Sequence, residues 1–335
     1  MPCSRRSNPG QPDRLLRSFD CRREVVRTRA YTADVVPTGL DSHITLRDGR
    51  RLAYTEWGSP SGRPVLYFHG TPGSRTWCPD EVATIEAGVR LVIPDRPGIG
   101  GSAPRPRGTL ADWADDVLEL ADALQMSRFA VVGVSGGGPY AAACAALIPS
   151  RLAGVAIISS RPLTRDNWEE RPEALTEWSE DHRAQFEMIQ TDIDAGAALV
   201  AANFAPFVAD FEQHPEGLHL ELEKAPGDRW FFADPGRVED FDDSIRETWK
   251  QGLDAVKWEL TAAYLPWGFR LADISIPVGI WHGAQDPFVS TAHLDFQLRT
   301  IRRSSLVTWP DSGHLGFVKH WGEVLQAVAG DPSGE

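Results

Sequence analysis

The most constraining feature of the sequence is the segment Gly133-Val134-Ser135-Gly136-Gly137, which joins an apolar run to an alanine-rich one. The run Phe129–Val134 is typical of a buried strand, and the run that ends near Leu147 is typical of a helix. Small residues two positions before and after Ser135 allow strand and helix to approach closely. The segment therefore predicts a sharp turn that lifts the Ser135 hydroxyl clear of a sheet, at the positive end of the helix.

The rest of the chain alternates short apolar runs with helical patterns. This alternation predicts an α/β fold with a mostly parallel sheet covered by helices on both faces. Asp48-Gly49 indicates a hairpin turn between strands at 43–46 and 51–56, and Thr109 is placed to cap a helix from about Leu110 to Leu124. The other predicted strands cover 65–68, 90–94, 129–134, 155–159, 277–281 and 305–309, and the other predicted helices cover 77–87, 136–147, 292–301 and 317–329.

Residues 161–270, called the insertion below, interrupt this alternation and predict helices and loops placed after one strand. The insertion carries 24 acidic and 11 basic residues, a net charge of −13 that equals the formal charge of the whole chain. Residues 1–36 are rich in arginine, have a net charge of +4 and predict a disordered tail. We therefore expect a tail, a core formed by 37–160 and 271–335, and a helical acidic insertion.

Composition and charge exclude some function classes. The 335 residues are 42% hydrophobic, as in ordinary folded proteins, and the charge of −13 disfavours a nucleic-acid partner, since phosphate contacts need a basic face. The four cysteines lack metal-ligand spacing and predict free thiols in a reducing cytoplasm. The most apolar stretch, Ala195–Ala209, is interrupted by Asn203 and Pro206 and is too short to span a bilayer, so no membrane span is expected.

A serine nucleophile needs a general base, and the base needs a carboxylate to hold its tautomer. His314 is the candidate base because it lies in the loop after the last predicted strand. Asp286 is the candidate carboxylate because it lies just past the end of the preceding predicted strand. Asp311 is a competitor, but it stands only three residues before His314 and is interpreted as a turn residue. The resulting chain order is Ser135, Asp286, His314.

The oxyanion of an acyl-transfer reaction needs preorganised N–H donors. One expected donor is the amide of Gly136, which follows the nucleophile. The second is the amide of Thr71, because Pro72 has no N–H and the surrounding glycines let this loop turn toward the site. The supporting loop after the strand at 65–68 consists of His69, Gly70, Pro72 and Gly73.

On these residues, the chain from about 40 to 335 resembles the α/β-hydrolase superfamily. The segment His69–Gly73 matches the oxyanion motif of that superfamily, and Asp95–Ser102 is similar to its D-x-x-G-x-G-x-S loop. The resemblance implies the α/β-hydrolase fold with a catalytic triad and an oxyanion hole. It also implies that the insertion, 161–270, is a cap over the active site.

The resemblance further implies a serine hydrolase that cleaves a small carbonyl compound: a carboxylic ester, lactone or thioester, through an acyl-enzyme on Ser135. Epoxide hydrolases and haloalkane dehalogenases are similar but use an aspartate at that position. Proline iminopeptidases are also similar, with H-G-G-P-G where this chain has Thr71. An aminopeptidase, a perhydrolase, a C–C bond hydrolase and a slow-turnover, receptor-like binding protein stay open as alternatives.

No cofactor or metal is expected. Gly98–Ala103 imitates a dinucleotide fingerprint, but Pro104 and Pro106 follow it, so no phosphate-binding helix opens there. Carboxylates of the insertion keep a cationic substrate open, and the sequence leaves the oligomeric state open. Aromatic side chains of the insertion are candidates for the substrate pocket: Trp168, Trp178, Phe204, Phe207, Trp230, Phe231, Phe232, Trp249, Trp258 and Trp267.

Overall fold

A computed structural model of the chain describes residues 39–161 and 179–330. In these residues, eight strands form one sheet in the order β1-β2-β4-β3-β5-β6-β7-β8. The strands are β1 Leu40–Thr45, β2 Arg51–Gly58, β3 Arg63–Phe68, β4 Val89–Pro94, β5 Phe129–Val134, β6 Leu152–Ile158, β7 Val278–Gly283 and β8 Ser304–Trp309.

Helices connect most of these strands. In the described ranges they are α1 Glu81–Glu86, α2 Asp112–Ala123, α3 Gly138–Leu147, α4 Glu180–Thr191, α5 Ile193–Gln213, α6 Glu216–Leu222, α7 Arg229–Phe232, α8 Pro235–Thr248, α9 Leu253–Ala262, α10 Thr291–Thr300, α11 Gly316–Lys319 and α12 Trp321–Ala329. The predicted tail, 1–36, and the part of the insertion at 162–178, which includes Trp168 and Trp178, lie outside the described residues.

The sheet is parallel from β4 through β3, β5, β6 and β7 to β8, and β1 and β2 add an antiparallel edge. The hairpin predicted at Asp48-Gly49 connects β1 to β2. The predicted mostly parallel sheet is thus confirmed. Since the carboxyl ends of parallel strands lie at the same edge of a sheet, the loops that follow β3, β5, β7 and β8 gather there.

Two apolar layers cover the faces of the sheet, and β3 shows how one strand serves both. Leu66 and Phe68 point into the layer beneath α2 and α3, where the Phe68 ring meets Trp113 edge-to-face with centroids 5.4 Å apart. Tyr67 points to the opposite layer and meets Trp321 of α12 at 5.2 Å. This burial on both faces explains why the central strands are nearly continuous apolar runs.

The helices α4 to α9 lie between β6 and β7 along the chain, within the insertion. The longest, α5, has 21 residues and passes through Pro206, so it is longer than the apolar stretch 195–209 suggests. By length and composition alone it is the one helix in the described ranges that could cross a membrane. In the structure, Val200 of α5 packs against Ile189 of α4 and against Leu265.

One local prediction about a helix start is wrong. Thr109 does not cap α2, which begins at Asp112 with Ala111 at the N-cap and no side-chain cap. The Asp112 carboxylate instead accepts hydrogen bonds from the Thr109 amide at 2.7 Å and from its hydroxyl at 3.0 Å. The Thr109 hydroxyl is thus a donor to Asp112 and not an acceptor for an amide of the helix.

We expect Leu66→Ala to lower the free energy of unfolding by about 2–5 kcal/mol, because Leu66 is fully buried in the central sheet and the change leaves a cavity. Leu306→Ala is the matched control. Leu306 lies on β8 and is 40% exposed, so we expect a loss below about 1 kcal/mol. Denaturant unfolding measures both values, and equal losses would contradict the burial described for β3.

Candidate active site

Ser135 stands at the sharp turn where β5 passes into α3. Its φ of +50° lies in the left-handed region, which costs a non-glycine residue on the order of 1–3 kcal/mol. A short 3₁₀ turn over Ser135–Gly137 then continues directly into α3. The predicted strand–turn–helix geometry is therefore present, and the Ser135 side chain lines a cavity at the carboxyl edge of the sheet.

The loop after β3 lies directly against this turn. A methyl group on Gly136 would lie 2.4 Å from Thr71 Oγ1 and 3.1 Å from the Thr71 amide nitrogen, and one on Gly137 would lie 2.1 Å from the Phe68 carbonyl oxygen. Only glycine permits such close contact. Within residues 39–161 and 179–330, neither the Thr71 nor the Gly136 amide N–H donates to an acceptor. Both are therefore free to bind an oxyanion.

The remaining residues of the loop also line the cavity. His69 is buried and donates from Nδ1 to the Gly70 carbonyl oxygen at 2.8 Å. Burial, together with the charge of Arg96, holds the pKa of His69 well below its usual value, so the ring is neutral. At the far end of the loop, the Gly73 amide donates to Thr248 Oγ1 of α8 at 2.8 Å. The insertion thus bonds directly to the predicted oxyanion loop.

The structure brings Asp286 and His314 into hydrogen-bond contact. His314 Nδ1 lies 2.8 Å from Asp286 Oδ2, and Asp286 Oδ1 accepts from the Phe288 amide at 2.8 Å. Burial opposes ionisation of Asp286, but His314 and the Phe288 amide outweigh it and hold the pKa of this carboxyl below its usual value. The competitor, Asp311, is exposed. The ionised carboxylate therefore orients the imidazole. Its bond engages Nδ1 of the ring and not Nε2.

His314 and Ser135 line the same cavity, which has a volume of about 410 Å³. Among the hydrogen bonds of the described residues, none joins Ser135 Oγ to His314. Catalytic hydrogen bonds are commonly long before substrate binds and shorten in the complex. The Phe288 ring packs edge-to-face against His314 at 5.1 Å and limits the movement of the imidazole.

The walls of the cavity are mostly apolar and come from both the core and the insertion. Of the aromatic residues proposed from the sequence, Trp267 lines the cavity. Phe204, Phe207 and Trp249 instead pack together inside the insertion. The larger apolar and aromatic side chains that line the cavity are Tyr67, Trp77, Leu110, Val134, Tyr140, Leu218, Leu222, Phe241, Ile245, Leu260, Trp267, Phe288, Val289, Leu315 and Phe317.

The acidic insertion contributes three buried carboxylates in the part of the chain that the structure describes: Asp228, Asp242 and Glu259. Asp242 bonds to His219 within the insertion at 2.7 Å. Asp228 bonds to the loop that carries His314. Glu259 of α9 lines the cavity, but its Oε1 accepts from Arg96 Nε at 2.8 Å, so its charge is paired.

Arg96 is a site residue that sequence reasoning did not single out, although it lies within Asp95–Ser102. Its guanidinium is fully buried and donates to the carbonyl oxygens of His69 and Gly70 and to Thr71 Oγ1. It also stacks over the Tyr140 ring at 4.7 Å. The contacts hold the predicted oxyanion loop in place. The Asp95–Ser102 motif is the sequence signal that could have pointed to Arg96. The motif does not indicate that Arg96 pairs with Glu259 on α9.

The described residues bear on two kinds of cofactor site, a metal centre and a dinucleotide-binding loop. No group of three or more histidine, cysteine, aspartate or glutamate side chains among the described residues is placed to bind a metal ion. In the loop that imitates a dinucleotide fingerprint, the amides of Gly98, Gly101 and Ser102 all donate to protein acceptors, one of them the Asp95 carboxylate. Those amides are therefore not presented to a phosphate.

Comparison with known proteins agrees with this geometry. The profile of the alpha/beta hydrolase fold family matches residues 63–320. A non-heme chloroperoxidase of Streptomyces lividans is 28% identical over 261 residues, covering 74% of this chain and 83% of that protein. A bifunctional esterase/perhydrolase of Acinetobacter calcoaceticus is 25% identical over 284 residues, covering 81% and 92%. An esterase structure from Exiguobacterium antarcticum has a TM-score of 0.57 at 19% identity, covering 86% and 97%.

Because the family profile spans more than half of the chain, the protein belongs to the α/β-hydrolase superfamily. The resemblance expected from the sequence is confirmed, and so is the fold class. The esterase structure, at 19% identity, supports the fold alone. The family and its relatives make the protein a hydrolase-family enzyme, for which small-molecule substrates are typical.

We expect Arg96→Met to lower the free energy of unfolding by about 3–5 kcal/mol, because it leaves the buried Glu259 carboxylate unpaired. The double variant Arg96→Met/Glu259→Leu removes both charges. Its loss should be smaller than that of Arg96→Met alone, although the loop carbonyls still lose their donor. Denaturant unfolding of the intact protein and the two variants tests this, and a larger loss in the double variant than in Arg96→Met would contradict the ion pair.

Proposed function

We propose that the protein is a cofactor-independent serine hydrolase that cleaves a carboxylic ester, lactone or thioester through an acyl-enzyme on Ser135. The observation that carries this proposal is the 2.8 Å contact between His314 Nδ1 and Asp286 Oδ2, made beside the cavity that Ser135 also lines. A serine nucleophile, an oriented imidazole and a buried carboxylate are the three groups that this chemistry requires.

In the proposed first step, Ser135 Oγ attacks the carbonyl carbon of the substrate while the free nitrogen of His314 accepts the hydroxyl proton. His314 then returns this proton to the leaving alcohol or thiol as the carbon–heteroatom bond breaks. Water hydrolyses the acyl-enzyme by the same route and restores the serine. Asp286 stabilises the imidazolium form of His314 throughout.

The oxyanion formed in both steps binds to the amide N–H groups of Thr71 and Gly136. Two observations support this proposal. Neither amide N–H donates to an acceptor in the described residues, and Gly136 lies in close contact with Thr71. Arg96, which holds the loop carrying Thr71, keeps these donors preorganised. Removal of one such donor in an enzyme typically lowers the rate by about 100- to 1,000-fold.

The cavity supports a substrate with an apolar acyl or alcohol group. Its volume of about 410 Å³ suits a small molecule, and its walls are mostly apolar. We also propose that the insertion, 161–270, is a cap, because Leu218, Phe241 and Leu260 line the cavity opposite the core. The buried free thiols of Cys78 and Cys144 agree with a cytoplasmic location.

A perhydrolase is the second candidate. The bifunctional esterase/perhydrolase and the non-heme chloroperoxidase are similar to this chain over most of its length. In that reaction, hydrogen peroxide replaces water in attack on the acyl-enzyme, which uses the same triad. An aminopeptidase is less well supported, since Glu259, the one carboxylate among the described lining residues, is paired with Arg96.

We expect Ser135→Ala to lower kcat/KM for a p-nitrophenyl ester by about 10⁴-fold or more and to abolish covalent labelling by a fluorophosphonate. Ser127→Ala is the matched control, because Ser127 is an exposed serine just before the opposite end of β5. Labelling of Ser135→Ala at the rate of the intact protein would overturn the assignment of the nucleophile. Ligand binding with negligible turnover in the intact protein would favour the receptor-like alternative.

A substrate panel separates the remaining reactions. We expect p-nitrophenyl ester hydrolysis to exceed hydrolysis of proline naphthylamide by more than about tenfold, because the one carboxylate among the described lining residues, Glu259, is already paired with Arg96. Addition of hydrogen peroxide tests for peracid formation, and a vinylogous diketone tests for C–C bond hydrolysis. Preferred turnover of proline naphthylamide would contradict the esterase proposal and favour the aminopeptidase.

A further inference from the structure

Asp228 is a fully buried carboxylate that the proposed mechanism does not use. It lies in the 3₁₀ turn Pro226–Asp228 between α6 and α7, far from the triad along the chain. Its Oδ1 accepts from the Gly313 amide at 2.8 Å, and its Oδ2 accepts from the Leu315 amide at 2.8 Å. The two carboxylate oxygens thus bind the backbone on both sides of His314.

The turn that carries Asp228 fits closely against the loops of the proposed triad. A methyl group on Gly313 would lie 2.5 Å from Asp228 Oδ2, and one on Gly227 would lie 2.1 Å from the Asp311 carbonyl oxygen. The Gly227 amide also donates to Gln285 Oε1 at 2.8 Å, one residue before Asp286. The insertion is therefore hydrogen-bonded both to the loop that carries Asp286 and to the loop that carries His314.

We infer that Asp228 is a positioning residue for His314. The inference rests on the proposed serine mechanism and extends it, because it gives the insertion a role in setting the geometry of the general base. Asp286 fixes the rotation of the imidazole ring, whereas Asp228 fixes the backbone from which the ring projects. Displacing a catalytic group by about 1 Å can lower the rate by about 100-fold.

The two bonds require an ionised carboxylate, which presents acceptors on both oxygens. Burial raises the pKa of Asp228 above its usual value, and the Leu315 and Gly313 amides oppose that shift. An asparagine would keep one acceptor but direct an NH₂ group at the other amide. Asp228→Asn therefore removes one bond, creates a donor–donor contact and removes a negative charge while it preserves volume.

The test compares Asp228→Asn with Asp242→Asn, a buried carboxylate of the same insertion that bonds to His219 and to neither loop. For Asp228→Asn we expect kcat to fall about 100-fold and KM to stay within about twofold. For Asp242→Asn we expect kcat and KM both to stay within about twofold of their values in the intact protein. Thermal unfolding of both variants measures the purely structural cost.

An unchanged kcat in folded Asp228→Asn would overturn the inference. If that variant does not fold, Gln285→Ala decides, because it removes the side chain that holds Gly227. A several-fold fall in kcat supports the inference, and no change overturns it. Fluorophosphonate labelling distinguishes failure of the serine mechanism from failure of the positioning role. If Ser135 of the intact protein is not labelled, the serine mechanism is overturned. If the intact protein and Asp228→Asn are labelled equally fast, only the positioning role of Asp228 is overturned.

Discussion

The structure depends on the close contact between the turn at Ser135 and the loop after β3. Gly136 and Gly137 lie so near Thr71 and Phe68 that even a methyl group on either would overlap backbone or side-chain atoms. This approach places the free amides of Thr71 and Gly136 beside one another. The parallel sheet makes it possible, because β3 and β5 are neighbours and their carboxyl ends open at the same edge.

In the described residues the insertion is hydrogen-bonded to this arrangement at several points, and buried carboxylates make two of these connections. Glu259 reaches the loop of Thr71 through Arg96, and Asp228 reaches the loop of His314 through two backbone amides. The buried acids of the insertion therefore act through particular hydrogen bonds. The net charge of −13 says little about these bonds, which depend on where single carboxylates are buried.

The sequence predicted the parts of the site that local pattern encodes. The glycine-flanked Ser135 and the positions of Asp286 and His314 after strand ends follow from short segments and chain order, and the structure brings the last two into contact. Thr109 failed as a cap because the helix begins only at Asp112, and the threonine hydroxyl donates to the Asp112 carboxylate. Asp228 could not be predicted, since its partners lie 85 and 87 residues away and no motif marks it.

One measurement tests the central claim most directly: a crystal structure of the protein after reaction with a fluorophosphonate. The account predicts a covalent adduct on Ser135, with the phosphonyl oxygen about 2.7–3.1 Å from both the Thr71 and Gly136 amide nitrogens. It also predicts that His314 remains bonded to Asp286. An adduct on another residue, or a phosphonyl oxygen directed away from both amides, would contradict it.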